Sequence, residues 1–118
     1  MKFLEWNLDE ITSKLSEHYG WFLWPYIEKI PELHNESIEI KWIRHKKWER
    51  KEWSLPNKKT QYLVILIEGK YKVLFPEKKK EFILHKQGDI FLFDPSESPH
   101  TWESLEDSLL MVIRFNSK

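Results

Sequence analysis

The stretch that decides the fold runs from residue 88 to residue 102 and reads GDIFLFDPSESPHTW. Gly88 allows a sharp turn, because a residue without Cβ reaches positive φ at little cost. A short apolar and aromatic strand follows. Pro95 and Pro99 then mark a loop, because proline cannot donate a hydrogen bond to a β-ladder. The stretch therefore predicts two strands joined by a loop that brings His100 to the start of the second strand.

The composition limits the classes of protein to which the chain can belong. At 118 residues it is long enough for one domain with its own core. It has no cysteine, which excludes disulfides and thiolate metal sites. Its 19 basic and 19 acidic residues balance, so no excess positive charge favours a nucleic acid partner. No signal-peptide pattern or membrane-spanning run is present, and we expect a cytoplasmic protein that does not bind membranes.

The N-terminal third predicts one helix and one aromatic segment. Asn7 and Glu10 have the spacing of a capping box, and apolar residues then recur at helical spacing, which predicts a helix over residues 8–18. Residues 21–27 form a dense apolar block with Trp21 and Trp24. This block either packs across the domain or forms a contact between two copies of the chain, because exposed aromatic patches mark interfaces.

From residue 37 the pattern changes to the period of two that is typical of strands. Ile38, Ile40 and Trp42 are expected to be buried, which places Lys41 and His45 on the opposite, solvated face. Residues 44–53 are highly charged and form either a solvated hairpin or an edge strand that is protected by charge. About eight short strands with frequent turns predict an all-β barrel or a jelly roll over residues 37–115.

The order of these strands resembles that of the cupin superfamily. Its second signature contains a glycine, then a proline, and a histidine five residues after that proline. Gly88, Pro95 and His100 follow this pattern, although Glu97 stands where the signature has a second glycine. The resemblance covers residues 38–115 and is greatest for small single-domain bacterial cupins of uncharacterised role. It implies a cupin-type double-stranded β-helix (a jelly-roll barrel) with one N-terminal helix. One domain would then span residues 1–118, with residues 1–36 preceding a barrel over 37–115.

The resemblance also implies where a metal would be held in a typical cupin. The first signature supplies two histidines and a glutamate, and the second supplies one further histidine. Anchoring the first signature on Gly69 puts Tyr62 at the glutamate position and Pro56 and Lys58 near the histidine positions. Only His100 of the four ligands is present, so we expect no metal cofactor. A divalent metal would have to use substitutes, and the available candidates are His100, His45 and Glu49.

The ligand site is expected inside the barrel, on the inward side of alternating strand residues. If His100 points inward, Trp102 does too, and Tyr62 takes the position of the missing glutamate. Arg114 is the one charged residue of the last strand, so it either clamps an anion or pairs with a surface glutamate, and the same choice holds for Arg50. The predicted ligand-binding residues are His100, Trp102, Tyr62, Trp53, Arg50 and Arg114.

Several functions remain open at this stage. The first is the binding of a small organic anion in the barrel without a metal. The second is a metal-dependent isomerase, lyase or dioxygenase that uses the substitute ligands. A metal-free enzyme would use His100 as an acid or base with Tyr62 as its partner. The last is a homo-oligomeric interaction module, such as a homodimer formed through Trp21 and Trp24. The sequence leaves both the ligand and any enzymatic activity undecided.

Overall fold

The computed structural model describes residues 3–15, 19–54 and 60–116, and within them the side chains of residues 52–54 are not described. The described part contains one α-helix, two short 3-10 helices and nine strands. The helix is α1 (Leu8–Lys14), and the 3-10 helices span Pro31–Leu33 and Pro76–Lys78. The strands are β1 (Trp21–Leu23), β2 (Ile38–His45), β3 (Arg50–Ser54), β4 (Thr60–Glu68), β5 (Tyr71–Phe75), β6 (Lys80–Leu84), β7 (Ile90–Phe93), β8 (His100–Ser104) and β9 (Ser108–Asn116).

The strands form two antiparallel sheets that pack face to face. The five-stranded sheet has the order β1-β2-β9-β4-β7, and the four-stranded sheet has the order β3-β8-β5-β6. Successive strands alternate between the sheets along much of the chain, which is the arrangement of a jelly roll. The main core lies between the sheets and contains Leu66, Val73 and Leu110, each at most 2% exposed. The all-β jelly-roll prediction with one N-terminal helix is confirmed.

A glycine makes the tightest crossing between the sheets possible. Gly69 follows β4 at φ +104° and leads into β5 in the other sheet. A Cβ placed at this position would lie 2.3 Å from Oγ of Ser108 and 2.5 Å from the carbonyl oxygen of Asp107. Ser108 also accepts a hydrogen bond from the backbone N–H of Lys70 at 3.0 Å. Position 69 therefore requires glycine for its backbone conformation and also for the space around it.

The N-terminal segment is more closely joined to the barrel than the sequence predicted. The Asn7 side chain caps α1 as expected, by accepting a hydrogen bond from the N–H of Glu10 at 3.2 Å. The helix ends at Lys14, earlier than the predicted residue 18, and residues 16–18 lie outside the described part. Strand β1 joins the edge of the five-stranded sheet, so the barrel begins before residue 37. Trp21 is 8% exposed within the main core, so it packs within the domain, which is the first of the two alternatives given for residues 21–27.

Residues 44–53 connect the two sheets. Strand β2 pairs with β1 and β9, whereas β3 pairs with β8 at the edge of the other sheet. The solvated hairpin was therefore the wrong alternative, and the charged edge strand is confirmed. Long cationic side chains at such an edge hinder pairing with another chain.

The faces of β2 are the reverse of the prediction. Lys41, Ile43 and His45 line the space between the sheets, whereas Trp42 and Arg44 point away from it and bond to Asp9 on α1. The period of two was read correctly, but the apolar face was assigned to the interior. Strand alternation gives the phase of a strand and does not say which face is inside.

The outer face of the five-stranded sheet explains this reversal. Register pairing places two apolar rows across its four longer strands, and we call them the outer rows. Their residues alternate with inward-facing ones such as Val64 and Val112. Ile90 and Leu92 at the β7 end are 61% and 54% exposed. The first row is Trp42, Met111, Ile65 and Ile90, and the second is Ile40, Ile113, Leu63 and Leu92.

Candidate functional site

A cavity of about 620 Å³ lies between the two sheets. This volume is within the range of pockets that hold small organic ligands. Five of the six predicted ligand-binding residues line the cavity, which are His100, Trp102, Tyr62, Arg50 and Arg114. The sixth, Trp53, has a side chain that lies outside the described part of the chain. Strands from both sheets contribute to the lining, because inward-pointing residues of each strand recur with a period of two.

Three rings form one wall of the cavity. The Trp102 ring centroid lies 4.2 Å from that of His45 and 5.5 Å from that of Tyr71. His45 and Tyr71 also stack on each other, with centroids 6.1 Å apart. Burial raises the pKa of Tyr71 well above its ordinary value, and the nearby Glu49 carboxylate adds to this effect. The Tyr71 phenol therefore stays protonated at neutral pH and contributes a neutral hydroxyl group to this wall of the cavity.

His45 and Glu49 form a hydrogen-bonded pair at this wall. Nδ1 of His45 contacts the Glu49 carboxylate, and His45 is 6% exposed whereas Glu49 is 45% exposed. Burial lowers the pKa of His45, while the hydrogen bond and the charge of Glu49 oppose this effect. A carboxylate on Nδ1 fixes the ring orientation and the tautomer that leaves Nε2 as an acceptor. Such a pair can hold a histidine ready to accept a proton.

His100 sits among aromatic rings on another part of the lining. Its ring centroid is 5.0 Å from that of Phe93 and 6.2 Å from that of Phe75. Burial lowers the pKa of His100, and the charge of Lys51 lowers it further. No residue of the described part hydrogen-bonds to its buried Nδ1 atom. The structure thus confirms that His100 points into the barrel, in a setting that favours the neutral imidazole.

Arg114 already has partners within the protein. Its Nε and Nη2 atoms donate to the Glu39 carboxylate at 2.6 and 2.9 Å, and Nη1 donates to the Tyr62 hydroxyl at 2.7 Å. The guanidinium carbon lies 4.3 Å from the Trp21 ring centroid. Of the two sequence alternatives, pairing with a glutamate is the one found, although that glutamate lies across the β2–β9 ladder. Arg114 still borders the cavity, and its positive charge lowers the pKa of the neighbouring Lys41.

Lys41 is the most unusual charged group in the cavity. Its Nζ lies 5.0 Å from the Trp21 ring centroid, and it forms no ion pair or hydrogen bond with any residue that the structure describes. Burial lowers the pKa of Lys41 from 10.5 to about 8, and the charges of Lys51 and Arg114 add to this effect. A lysine with this environment is expected where function requires a desolvated amine or an anion partner.

The lining as a whole is basic. Its cationic residues are Lys41, Arg50, Lys51 and Arg114, and its one carboxylate among the described residues, Glu49, is bonded to His45. Arg50 and Lys51 are exposed at the start of β3, where they border the cavity from its solvent side. An excess of cations in an apolar setting favours an anionic ligand.

Sequence reasoning missed several lining residues. Lys41 was assigned to the solvated face of β2, and neither Lys51 nor Tyr71 was considered as part of the site. Trp21 was interpreted as packing or as an interface contact, yet it lies beneath two cations of the cavity. The sequence did contain one indication. Lys41 lies on the same face of β2 as His45, and a polar strand face that carries a histidine can line a ligand cavity.

Comparison with known proteins identifies the architecture. No protein-family profile matches the chain, and no curated protein matches it in sequence. Among solved structures, an RmlC-like cupin protein from Desulfovibrio desulfuricans superposes with a TM-score of 0.58, covering 70% of this chain and 74% of that chain at 15% identity. The chain has the cupin fold. A cupin superfamily protein from Desulfitobacterium hafniense gives a TM-score of 0.59 over 71% of this chain and 72% of that chain, at 11% identity.

Other cupins similar to this chain have different descriptions. A sugar phosphate isomerase from Silicibacter pomeroyi, described as a cupin superfamily protein, superposes with a TM-score of 0.53. The match covers 70% of this chain and 52% of that chain at 14% identity. Similarity at such low sequence identity shows that the fold is shared and does not show that the activity is shared. No helix of the described part is long and apolar enough to cross a membrane.

The described residues do not fit the metal site that the cupin resemblance implies. No three side chains of His, Cys, Asp or Glu within residues 3–15, 19–51 and 60–116 lie close enough together to hold a metal ion. The substitute set of His100, His45 and Glu49 does not form a cluster among these residues, since Glu49 binds Nδ1 of His45 and His100 sits among phenylalanine rings. Catalytic metal sites generally need three protein ligands. The positions of Pro56 and Lys58 lie outside the described part.

Proposed function

We propose that this cupin-fold protein binds a small organic anion in the cavity between its sheets, without a metal. The observation that carries this proposal is the charge of the lining. Lys41, Arg50 and Lys51 have no carboxylate partner among the described residues, and Glu49 is bonded to His45. Lys41 is also desolvated, which is costly for an unpaired cation, and an anionic ligand would offset that cost.

The apolar part of the lining supports an organic ligand over a bare inorganic ion. The rings of Trp102 and Tyr71 form a wall, and Val64 and Val112 line the sheet opposite it. Ligand pockets typically combine such apolar walls with a few polar groups that fix orientation. Here the carbon skeleton would lie against the rings and the negative group would approach the cations.

A thermal-shift screen tests the proposal. The full chain is melted with small carboxylates, phosphate and sugar phosphates, each matched by sodium chloride at equal ionic strength. A ligand at a hundred times its Kd stabilises the folded state by about 2.7 kcal/mol, which raises the Tm of a domain of this size by roughly 10 °C. We expect at least one organic anion to raise the Tm and the double variant Lys41→Met/Lys51→Met to lose that shift, while Lys86→Met on the surface keeps it.

Two results would overturn this proposal. The first is a screen in which no organic anion raises the Tm beyond its chloride control. The second is elemental analysis of protein purified without a tag or chelator that finds about one metal ion per chain, and finds it lost in His100→Ala. That outcome would favour the metal-dependent alternative.

The His45–Glu49 pair favours a second candidate, an enzyme that moves a proton on the bound anion. A metal-free enzyme was expected to use His100 with Tyr62, but the Tyr62 hydroxyl accepts a hydrogen bond from Arg114. His45 has the carboxylate partner that a general base needs. In deuterium oxide, NMR should show exchange of a C–H proton of the bound anion. We expect His45→Gln to abolish the exchange and His100→Gln to retain it, and absence of exchange for every anion that binds would contradict this candidate.

The interaction-module hypothesis stays a prediction, and its test moves to another surface. Trp21 is buried in the core, so its replacement would damage the fold. The outer rows supply exposed apolar side chains at Ile90 and Leu92 instead. Light scattering of the wild type and of Ile90→Lys would show whether an oligomer exists and whether this face holds it together.

A further inference from the structure

We propose that the amine of Lys41 forms an imine with a carbonyl compound that carries a negative charge, such as an aldehyde acid or a 2-oxo acid. This inference rests on the proposed anion site and names the substrate class of that site. It begins with the position of the amine. Lys41 lies on β2, faces the cavity and holds its Nζ 5.0 Å from the Trp21 ring centroid.

The first argument is the absence of a counter-ion. Lys41 makes no ion pair or hydrogen bond with a residue of the described part, whereas the neighbouring Arg114 has both Glu39 and Tyr62. A lysine that served only to hold the fold together would be expected to share such a network, because buried charges in proteins are normally paired. The Lys41 side chain lines the cavity where a ligand would sit.

The second argument is that the surroundings favour the neutral amine. Arg114 lies over the same Trp21 ring, with its guanidinium carbon 4.3 Å from the ring centroid, and Lys51 adds a further positive charge. An apolar setting and adjacent cations are the two features that activate amine nucleophiles in enzymes. Both lower the pKa of Lys41 toward about 8, which leaves a substantial neutral fraction at physiological pH.

The chemistry balances without any other reactant. The lone pair of Nζ attacks the carbonyl carbon, the nitrogen releases one proton, and the carbonyl oxygen takes up one proton to give a carbinolamine. The hydroxyl group takes up a second proton and leaves as water, the nitrogen releases its second proton, and a carbon–nitrogen double bond remains. The carboxylate of the bound compound would lie near Lys51 and Arg50, which border the same cavity. A neutral aldehyde lacks this second point of attachment.

Reductive trapping tests the inference directly. The full chain is incubated at pH 7.5 with glyoxylate or pyruvate and with sodium cyanoborohydride, which reduces an imine to a stable secondary amine. Peptide mass spectrometry then gives the rate of modification at each lysine. We expect Lys41 to react at least about tenfold faster than the exposed Lys46 and Lys86, because its neutral fraction is larger. Equal or slower modification of Lys41 with both acids would overturn the inference.

One variant and two measurements on the wild type separate this inference from the anion-binding proposal. Lys41→Arg retains the positive charge and cannot form an imine, so it should lose the trapped product, and the thermal shift given by non-carbonyl anions is measured separately on the wild type. If the wild type shows the thermal shift and Lys41 is not trapped preferentially, Lys41 is only an ionic anchor and the imine is refuted. If Lys41 is trapped by glyoxylate no better than by the neutral glycolaldehyde, and no anion shifts the Tm, the anion site itself is refuted.

Discussion

Replacement of Lys41 by methionine should make the protein more stable at neutral pH. Burial and two neighbouring cations lower the pKa of Lys41 from 10.5 in the unfolded chain to about 8. The folded state therefore binds fewer protons, so this group destabilises the fold fully below pH 8 and ceases to do so as pH rises toward 10.5. One pKa unit corresponds to about 1.4 kcal/mol, which gives a cost of about 3 kcal/mol at pH 7 and less than about 1 kcal/mol at pH 10. Loss of the Trp21 contact offsets about 0.5–1 kcal/mol of the gain.

Urea unfolding at both pH values measures this effect. We expect Lys41→Met to exceed the wild type by about 2 kcal/mol at pH 7 and to match it within about 0.5 kcal/mol at pH 10. Comparison of variant with wild type at each pH removes the contribution of all other titrating groups. Lys46→Met, on the exposed turn after β2, should differ from the wild type by less than about 0.5 kcal/mol at both pH values. An equal or lower stability of Lys41→Met at pH 7 would refute the argument that Lys41 is an unpaired, desolvated amine.

Three further predictions concern other parts of the structure. Gly69→Ala should cost several kcal/mol in urea unfolding, because its Cβ would meet β9 atoms at 2.3–2.6 Å, whereas Gly88→Ala at φ +91° has open space and should cost about 1–2 kcal/mol. Similar costs for both would show that the crossing can relax. Asn7→Ala should lower the free energy of unfolding by about 1 kcal/mol through loss of the helix cap, and no change would mean that α1 does not depend on it. Glu49→Gln should lower the pKa of His45 further, because Glu49 opposes the effect of burial. Imidazole NMR titration measures this, and an unchanged or higher pKa would contradict the pairing.

The parts of the fold that local chemistry determines could be predicted from the sequence. Gly88 adopts positive φ, Asn7 caps the helix, and the strand spacing gave the jelly roll, because turns, caps and strand period act over a few residues. That His100 and Trp102 share one face of their strand also followed from strand period. These features need no knowledge of what lies across the barrel.

The chemistry of the cavity could not be predicted in the same way. The bond between Arg114 and Glu39 joins residues 75 positions apart, and the pattern of β2 did not reveal that Lys41 faces inward. The pairing of β2 with β9 decides both features. Each depends on which strands become neighbours and on which face of the sheet is covered, and these are properties of the whole topology.

The five-stranded sheet has two surfaces, the cavity lining and the outer rows, whose residues can be substituted independently. Each of the four longer strands carries inward-facing residues and outer-row residues in alternation, so a substitution on one surface leaves the side chains of the other in place. Mutations at cavity positions such as Lys41 could therefore give related proteins new ligands while the apolar exterior stays constant. Conversely, a substitution at Ile90 or Leu92 could change which proteins contact the outer rows without changing the ligand of the cavity. The same backbone fold can in this way be retained in proteins whose sequences have diverged almost completely.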